Sequence, residues 1–229
     1  MCAASRSGSH PRARHGHRAG RGLAPVRNAG MRRAFAAALV LLAGAAQAQT
    51  LIRPEDAERL QVLSSSAGAG FLQALAGGSR GDVDHLQEVM AGTPVAPIET
   101  TLAGDWSCRM LNLGGISPLV VYAPFDCRIT ADEDGFVLEK TTGSQRMTGR
   151  ITLRPEGMVL LGTGYVDDRA PVAYDDLPME FETDGTLWPV VGVVEQTGPD
   201  RARILMPDPA LESVFDVLDL RRTPPPPEG

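Results

Sequence analysis

Few side chains able to do chemistry remain once the first 48 residues, read as a removable leader, are set aside. One histidine is left, His85, beside Asp82, Asp84 and Glu88. On a helix, residues 84, 85 and 88 share a side, as a small metal or acid–base cluster would require. An acidic helix face turned to solvent is the simpler reading. A serine nucleophile would need this histidine and a strained Gly-x-Ser-x-Gly turn, and no such string occurs. Asp167-Asp168 and Asp175-Asp176 flank Tyr174 in an irregular stretch, which keeps two-carboxylate hydrolysis as an alternative; acids in loops are ordinarily just solvated. Asp132-Glu133-Asp134 lacks the ligand spacing of a calcium loop. No catalytic set, metal site or cofactor is expected from these residues.

Two other groups say more. Cys108 and Cys127 are the two cysteines left after the leader, an even pair, and no histidine lies near either to complete a metal site. In an oxidising compartment such a pair reads as a disulfide. The string Thr142-Gly143-Ser144-Gln145-Arg146 is the most distinctive local signal. Gly143 permits a tight turn, Ser144 and Gln145 supply hydrogen-bonding groups, and Arg146 can grip a carboxylate or phosphate with two parallel N–H donors. The plainer reading is a hairpin turn whose Gln and Arg tie down neighbouring backbone.

The leader itself falls into two parts. Residues 31–48, MRRAFAAALVLLAGAAQA, carry a positive end at Arg32-Arg33, a short apolar core and small residues at Ala46-Gln47-Ala48, the three parts of a secretory signal. Cleavage is expected after Ala48. The apolar core is too short for a membrane span of about 20 residues. Residues 1–30 read as an Arg/Gly/His-rich extension upstream of the true start at Met31. All eight arginines of residues 1–33 go with the leader, leaving 14 basic residues against 28 acidic. So acidic a chain is a poor ligand for nucleic acid or an anionic membrane. The expected location is the periplasm or the exterior of a Gram-negative cell, with no transmembrane segment in the mature chain.

The elements that position these groups follow from periodicity. Residues 53–91 repeat apolar side chains at three- and four-residue steps (Leu60, Leu63, Ala67, Phe71, Leu75), with Pro54, Glu55 and Asp56 suited to a helix start and Gly77-Gly78 to an end. A second helix is expected from about Asp82 to Ala91, and Thr93 to Pro97 reads as a stiff linker closing a helical segment of 49–97. From Gly104 the period becomes two. Trp106, Cys108 and Met110 alternate with polar residues, and so do Phe125, Cys127 and Ile129. A hairpin centred between residues 117 and 118 would set Cys108 opposite Cys127. Turn signals then recur at Asp134-Gly135, Gly143-Ser144, Pro155-Glu156-Gly157, Asp184-Gly185 and Gly198-Pro199-Asp200. They bound strands at 136–141, 145–154, 158–166, 187–197, 201–206 and 214–221. The fold class expected is α+β, mainly β: two N-terminal helices, then an antiparallel meander of about eight strands over 98–222, curled into a barrel or strongly bent sheet that hides its edges. Residues 223–229 read as a disordered proline-rich tail.

Several strings taken together are similar to a known family. Gly104-Asp105-Trp106-Ser107-Cys108-Arg109, Tyr122-Ala123-Pro124-Phe125-Asp126-Cys127-Arg128-Ile129, Thr142-Gly143-Ser144-Gln145-Arg146, Leu161-Gly162 and Glu212-Ser213-Val214-Phe215-Asp216-Val217 resemble the exported alphaproteobacterial domain of unknown function 4893, over roughly residues 50–222. That resemblance implies an envelope protein with a helix-then-strands plan and implies no activity. Gly104-Asp105-Trp106 also resembles the Gly-x-Trp that opens lipocalin-type barrels, whose last strand packs an Arg on the Trp; Arg221 or Arg222 would take that part.

The leading functional expectation is a non-enzymatic exported barrel that binds a small amphipathic ligand or peptide. Its site would comprise Trp106, Arg109, Phe125, Ser144, Gln145 and Arg146, with Met147 and Ile151 adding apolar wall and an arginine pairing the polar head. The alternatives are a protein–protein module of the protease-inhibitor kind, binding an envelope protein, and an envelope hydrolase using carboxylates.

Overall fold

The computed structural model describes residues 50–95 and 102–223. The expected upstream extension, the signal segment with its cut after Ala48, part of the linker and the proline run of the tail lie outside the described residues. Alternation of side chains across the backbone governs what is described. Nine strands run β1 (Gly104–Leu113), β2 (Leu119–Val121), β3 (Phe125–Asp132), β4 (Gly135–Lys140), β5 (Gln145–Arg154), β6 (Gly157–Val166), β7 (Leu187–Gly198), β8 (Arg201–Pro207) and β9 (Phe215–Arg222). Each neighbour pairs antiparallel, and β9 returns to pair with β1 from Trp106↔Arg222 to Leu113↔Phe215. The sheet therefore closes as an eight-stranded barrel, as its regular turn spacing suggested, and closure leaves no long edge unpaired. The short β2 is the extra strand. It pairs with the far end of β1, beyond the stretch that β3 pairs.

The break between β2 and β3 corrects the expected hairpin. A continuous strand from Val121 to Ile129 is interrupted at Tyr122-Ala123-Pro124, where Pro124 has no N–H to give a ladder. The turn centres on Ile116, since Leu111 faces Val121 and the Gly114 N–H donates to the Pro118 carbonyl. The register then shifts across the break, so Cys127 faces Trp106 and Cys108 faces Phe125. The Cys108–Cys127 disulfide is present, with Cα atoms 5.8 Å apart, but it joins the strands diagonally on their shared inner face.

Among the described residues three helices precede the barrel, where two were expected: α1 (Pro54–Gln61), α2 (Leu63–Gly77) and α3 (Arg80–Met90). The first predicted helix divides at Val62, which leaves helical geometry at φ −92°, ψ 11°. Ser79 caps α3 by accepting the Asp82 N–H. The helices cover the outer wall. Ala74, Leu86 and Val89 pack on Leu111, Leu113, Phe215 and Val217, the outward residues of β1 and β9. Leu60 of α1 and the long β6–β7 connection, through Tyr174 and Leu177, cover Val159, Leu161 and Val191. Strand β6 is thereby buried on both faces, which accounts for its unbroken apolar run.

A buried charged cluster pins α1 to the barrel. Asp56 has no exposed surface, and it accepts from the Tyr174 hydroxyl (2.6 Å) and from Arg59 (3.0 Å), with Arg53 at 3.4 Å. Arg59 also donates to the carbonyls of Pro189 and Pro207, the ends of β7 and β8 nearest one mouth. Losing one member of such a cluster strands the others without partners in a dry site. Burial, with Asp56 alongside, raises the Tyr174 phenol's affinity for its proton.

Candidate functional site

The inward phase of the strands is mainly apolar, and its polar residues lie at the two ends. Gln196 on β7 and Arg222 on β9 stand where β1 begins. At the mouth to which β1 climbs and from which β9 descends stand Asn112 on β1, Lys140 on β4, Gln145 on β5 and Asp216 on β9. Asn112 and Asp216 are directly paired across β1 and β9. Beneath them Met110, Met147, Trp188, Val190 and Met206 form an apolar floor. Together they enclose a cavity of about 350 Å³, within the range of small-ligand sites. The β8–β9 loop, with Leu211, Glu212 and Ser213, lies along its rim.

Local sequence explains how each wall is held. The β4–β5 turn wraps around Lys140, whose ammonium donates to the carbonyls of Thr142 (2.8 Å) and Gln145 and sits 3.8 Å from the centre of the Phe125 ring. Gly143, at φ +93°, has no room for a side chain: a Cβ would lie 2.7 Å from the Phe125 ring and 2.9 Å from Lys140 Nζ. Trp188 lies flat across β6 because Gly164 leaves the space, a Cβ there falling 2.1 Å from the indole nitrogen. Both ends of the β8–β9 loop are tied by one hydroxyl. Ser66 Oγ accepts from the Asp208 N–H at 3.0 Å and donates to the Val214 carbonyl at 2.6 Å.

The cavity perturbs its titratable groups. Burial, with Arg146 adding repulsion, lowers the Lys140 ammonium to about 8. Burial raises the Asp216 carboxyl to about 7, with Glu212 reinforcing it and the Ser213 hydroxyl (2.5 Å) and Arg59 opposing it. Tyr122 is raised by burial and by the acids Glu212 and Asp216. Groups displaced in this way inside a cleft mark a candidate site.

The sequence-predicted residues divide between places. Phe125, Ser144, Gln145, Arg146 and Met147 line the cavity. Trp106 and Ile151 lie in the barrel core below it, 1% and 0% exposed. The Trp106 indole donates to the Leu102 carbonyl at 2.9 Å and carries the Arg222 guanidinium over its ring at 4.3 Å. Arg109 points out of the barrel, into a shallow pocket under α3 with His85, Glu88, Ser107, Asp219 and Arg221. His85 is 3.9 Å from Glu88 and 3.8 Å from Asp219 there. None of Asp167, Asp168, Asp175 and Asp176 lines the cavity, and Asp175 accepts from Thr50. Among the described residues, no group of three or more His, Cys, Asp and Glu could hold a metal, and no helix is long and apolar enough to cross a membrane.

The family model of a domain of unknown function, DUF4893, matches residues 48–220. The chain belongs to this family. No curated protein and no solved structure matches it, so a reading of this DUF4893 chain rests on its own side chains. Its eight-stranded barrel, with Gly104-Asp105-Trp106 at the entry and Arg222 packed on the tryptophan from the last strand, is consistent with a lipocalin-like barrel.

Reading the sequence for turns and pairs passed over Asn112, Lys140 and Asp216 in the DUF4893 barrel. A signal for them existed. Each continues an inward alternation, after Met110, after Leu138 and before Leu218, and Lys140 is the only lysine in the chain. A polar residue in the buried phase costs free energy unless it is satisfied or used.

Proposed function

We propose that this DUF4893 protein is an exported, non-enzymatic barrel that binds a small amphipathic ligand in the open mouth. The observation that supports this most is the cavity itself, apolar at its floor through Met110, Met147, Trp188 and Met206 and polar at its rim through Lys140, Arg146, Asn112 and Asp216. Thioether side chains adapt their shape to an apolar guest at little cost. The Cys108–Cys127 disulfide and the leader expected at residues 31–48 support export. Native mass spectrometry of the protein purified from an expressing Gram-negative host tests both halves. The expected result is a chain beginning at Gln49, two hydrogens short of the reduced mass, with an added mass that leaves on denaturation. A chain that retains residues 31–48 after membrane translocation would contradict the leader. A cavity that takes up no amphiphile added in excess would contradict the binding role.

A second reading, a protein–protein module, draws on a different surface. Leu72 and Leu75 of α2 and Ile116 of the β1–β2 turn are 72%, 54% and 79% exposed, and Gln73 bonds that turn to α2. Losing partner binding in a Leu72→Ser, Ile116→Ser double variant with an intact cavity would favour it.

A further inference from the structure

The charge balance of the cavity narrows its ligand. Lys140 is 5% exposed, and Arg146 is near enough to depress its ionisation. Neither forms an ion pair with a carboxylate among the described residues; the ammonium is held by two backbone carbonyls and a ring face, and Arg146 Nε is buried without a hydrogen-bond partner. Two adjacent cations with no anion between them are costly in a partly dry site. Among the described residues the strongly buried arginines each have a carboxylate, unlike the equally buried Lys140: Arg53 and Arg59 share Asp56, and Arg203 pairs with Glu195. The acids facing the cavity stand elsewhere, Asp216 beside Asn112 on the β9–β1 wall and Glu212 on the β8–β9 loop.

We propose that Lys140 and Arg146, presented by the β4–β5 turn, are the seat for a monoanionic head, and that the ligand of the mouth is a small carboxylate-bearing amphiphile. This rests on reading the mouth as the ligand site. A carboxylate placed there supplies the missing counter-charge and the acceptor for Arg146 Nε, in the planar geometry a guanidinium binds best. Its apolar part lies over Met147, Trp188 and Met206. The facing wall sets a pH dependence. Asp216, which Arg59, Glu212, Ser213 and Tyr122 surround, is uncharged in mild acid and becomes a repelling anion as pH rises past about 7. Lys140, facing Arg146, loses its charge past about 8. Both changes weaken anion binding in the same direction, so capture is tighter at pH 6 than at pH 9. A dianionic head would meet more repulsion from the opposite wall than a monoanion.

Three probes of one chain length separate this from the broader reading: octanoate, octan-1-ol and octylammonium, each titrated into the purified protein by calorimetry at pH 6 and pH 9. Octanoate is expected to bind at least ten times more tightly than octanol at pH 6, to lose most of that advantage at pH 9, and octylammonium to bind most weakly. Because the chain has one lysine, lysine-selective carbon-13 labelling gives one Cε resonance, and its titration midpoint is expected to rise when octanoate is bound. Arg146→Gln and Lys140→Met are each expected to bind octanoate no more tightly than the same variant binds octanol; Arg146→Gln, on the rim, keeps the test valid if Lys140→Met does not fold. Equal binding of octanoate and octanol would overturn the anion seat and leave the ligand cavity standing. Binding of none of the three, with the lysine signal unmoved, would overturn both.

Discussion

The two ends of the barrel are built from the same strands and solve opposite problems. At the end where β1 begins and β9 finishes, Trp106 fills the interior, its N–H is satisfied by Leu102, and Arg222 lies on its face while bonding the Ala103 and Pro199 carbonyls. Gly104, at φ +143°, makes room for that guanidinium, which would lie 2.4 Å from any Cβ there. The turns nearby are tight: two residues separate β3 from β4, β5 from β6, and β7 from β8. At the other end the connections lengthen, and Asn112, Lys140 and Asp216 replace apolar residues in the inward phase. One end spends most of its side chains on packing and keeps a smaller cavity of about 200 Å³ beside Leu102, Phe136, Met158 and Val194. The other leaves about 350 Å³ unfilled, and neither Lys140 nor Arg146 there forms an ion pair with a carboxylate among the described residues. A stable wall of satisfied groups at one end lets the other carry groups that burial strains, the usual distribution of stability and function.

The sharpest way to break this contrast is to exchange the tryptophans' fates. Trp106→Ala should cost about 3–5 kcal/mol of stability, read by urea unfolding, whereas Trp188→Ala should cost clearly less because its ring already borders a void. Equal losses would mean that the mouth is packed as tightly as the plugged end. Next in size is the disulfide that staples β1 to β3 between the two ends. Cys108→Ala with Cys127→Ala should lower stability by about 3 kcal/mol, from the loop of about 20 residues it closes, and reduction of the native protein should lower its melting temperature in parallel.

Asp216 offers a test with a definite sign. Its carboxyl holds its proton more tightly in the folded chain, up to about 7, than in the unfolded one. The folded state is therefore favoured fully in acid, and that advantage is lost as pH rises through about 7. Asp216→Asn, which keeps an acceptor for Ser213, should be close to neutral at pH 4 and more stable than the native protein at pH 8, on the order of 2 kcal/mol. Melting curves at the two pH values decide it; a pH-independent effect would show that the site is wetter than the fold indicates. Smallest is Ser66→Ala. Removing the hydroxyl that ties both ends of the β8–β9 loop should cost about 1 kcal/mol and should speed proteolytic cleavage between Asp208 and Val214 while sparing the turns of the plugged end.

Much of this fold was legible before any coordinates, and the reasons are local. The strand from Gln145 to Arg154 alternates cleanly, and Asp134-Gly135 and Pro155-Glu156-Gly157 can hardly be anything but turns. The turn spacing pointed to a barrel or a strongly bent sheet, and the sheet closes; the resemblance to lipocalin-type barrels offered Arg221 or Arg222 as the partner of Trp106, and Arg222 meets the ring. Other features depended on events that pattern does not encode. A single proline broke the second strand and moved the cysteine register by two residues. Val62 split a helix whose apolar spacing continues across the break. The candidate site was half legible. The loop from Thr142 to Arg146 stood out by its residue types, and its Ser144, Gln145 and Arg146 line the mouth. Arg109, by contrast, sits in the outward phase between Cys108 and Met110, so strict alternation already placed it outside the barrel. Asn112, Lys140 and Asp216 were overlooked because each looks ordinary in its own segment; their meeting is a property of barrel closure, which joins β9 to β1.

The chain contains two tryptophans, one at each end, and that gives the most direct measurement. Octanoate is titrated at pH 6 into two single-tryptophan proteins, Trp106→Phe, which leaves Trp188 as reporter, and Trp188→Phe, which leaves Trp106. If the open mouth takes the ligand, the emission of Trp188 shifts saturably while that of Trp106 stays fixed. A saturable response from Trp106 alone, or no response from either while the protein is folded, would contradict a ligand site in that mouth.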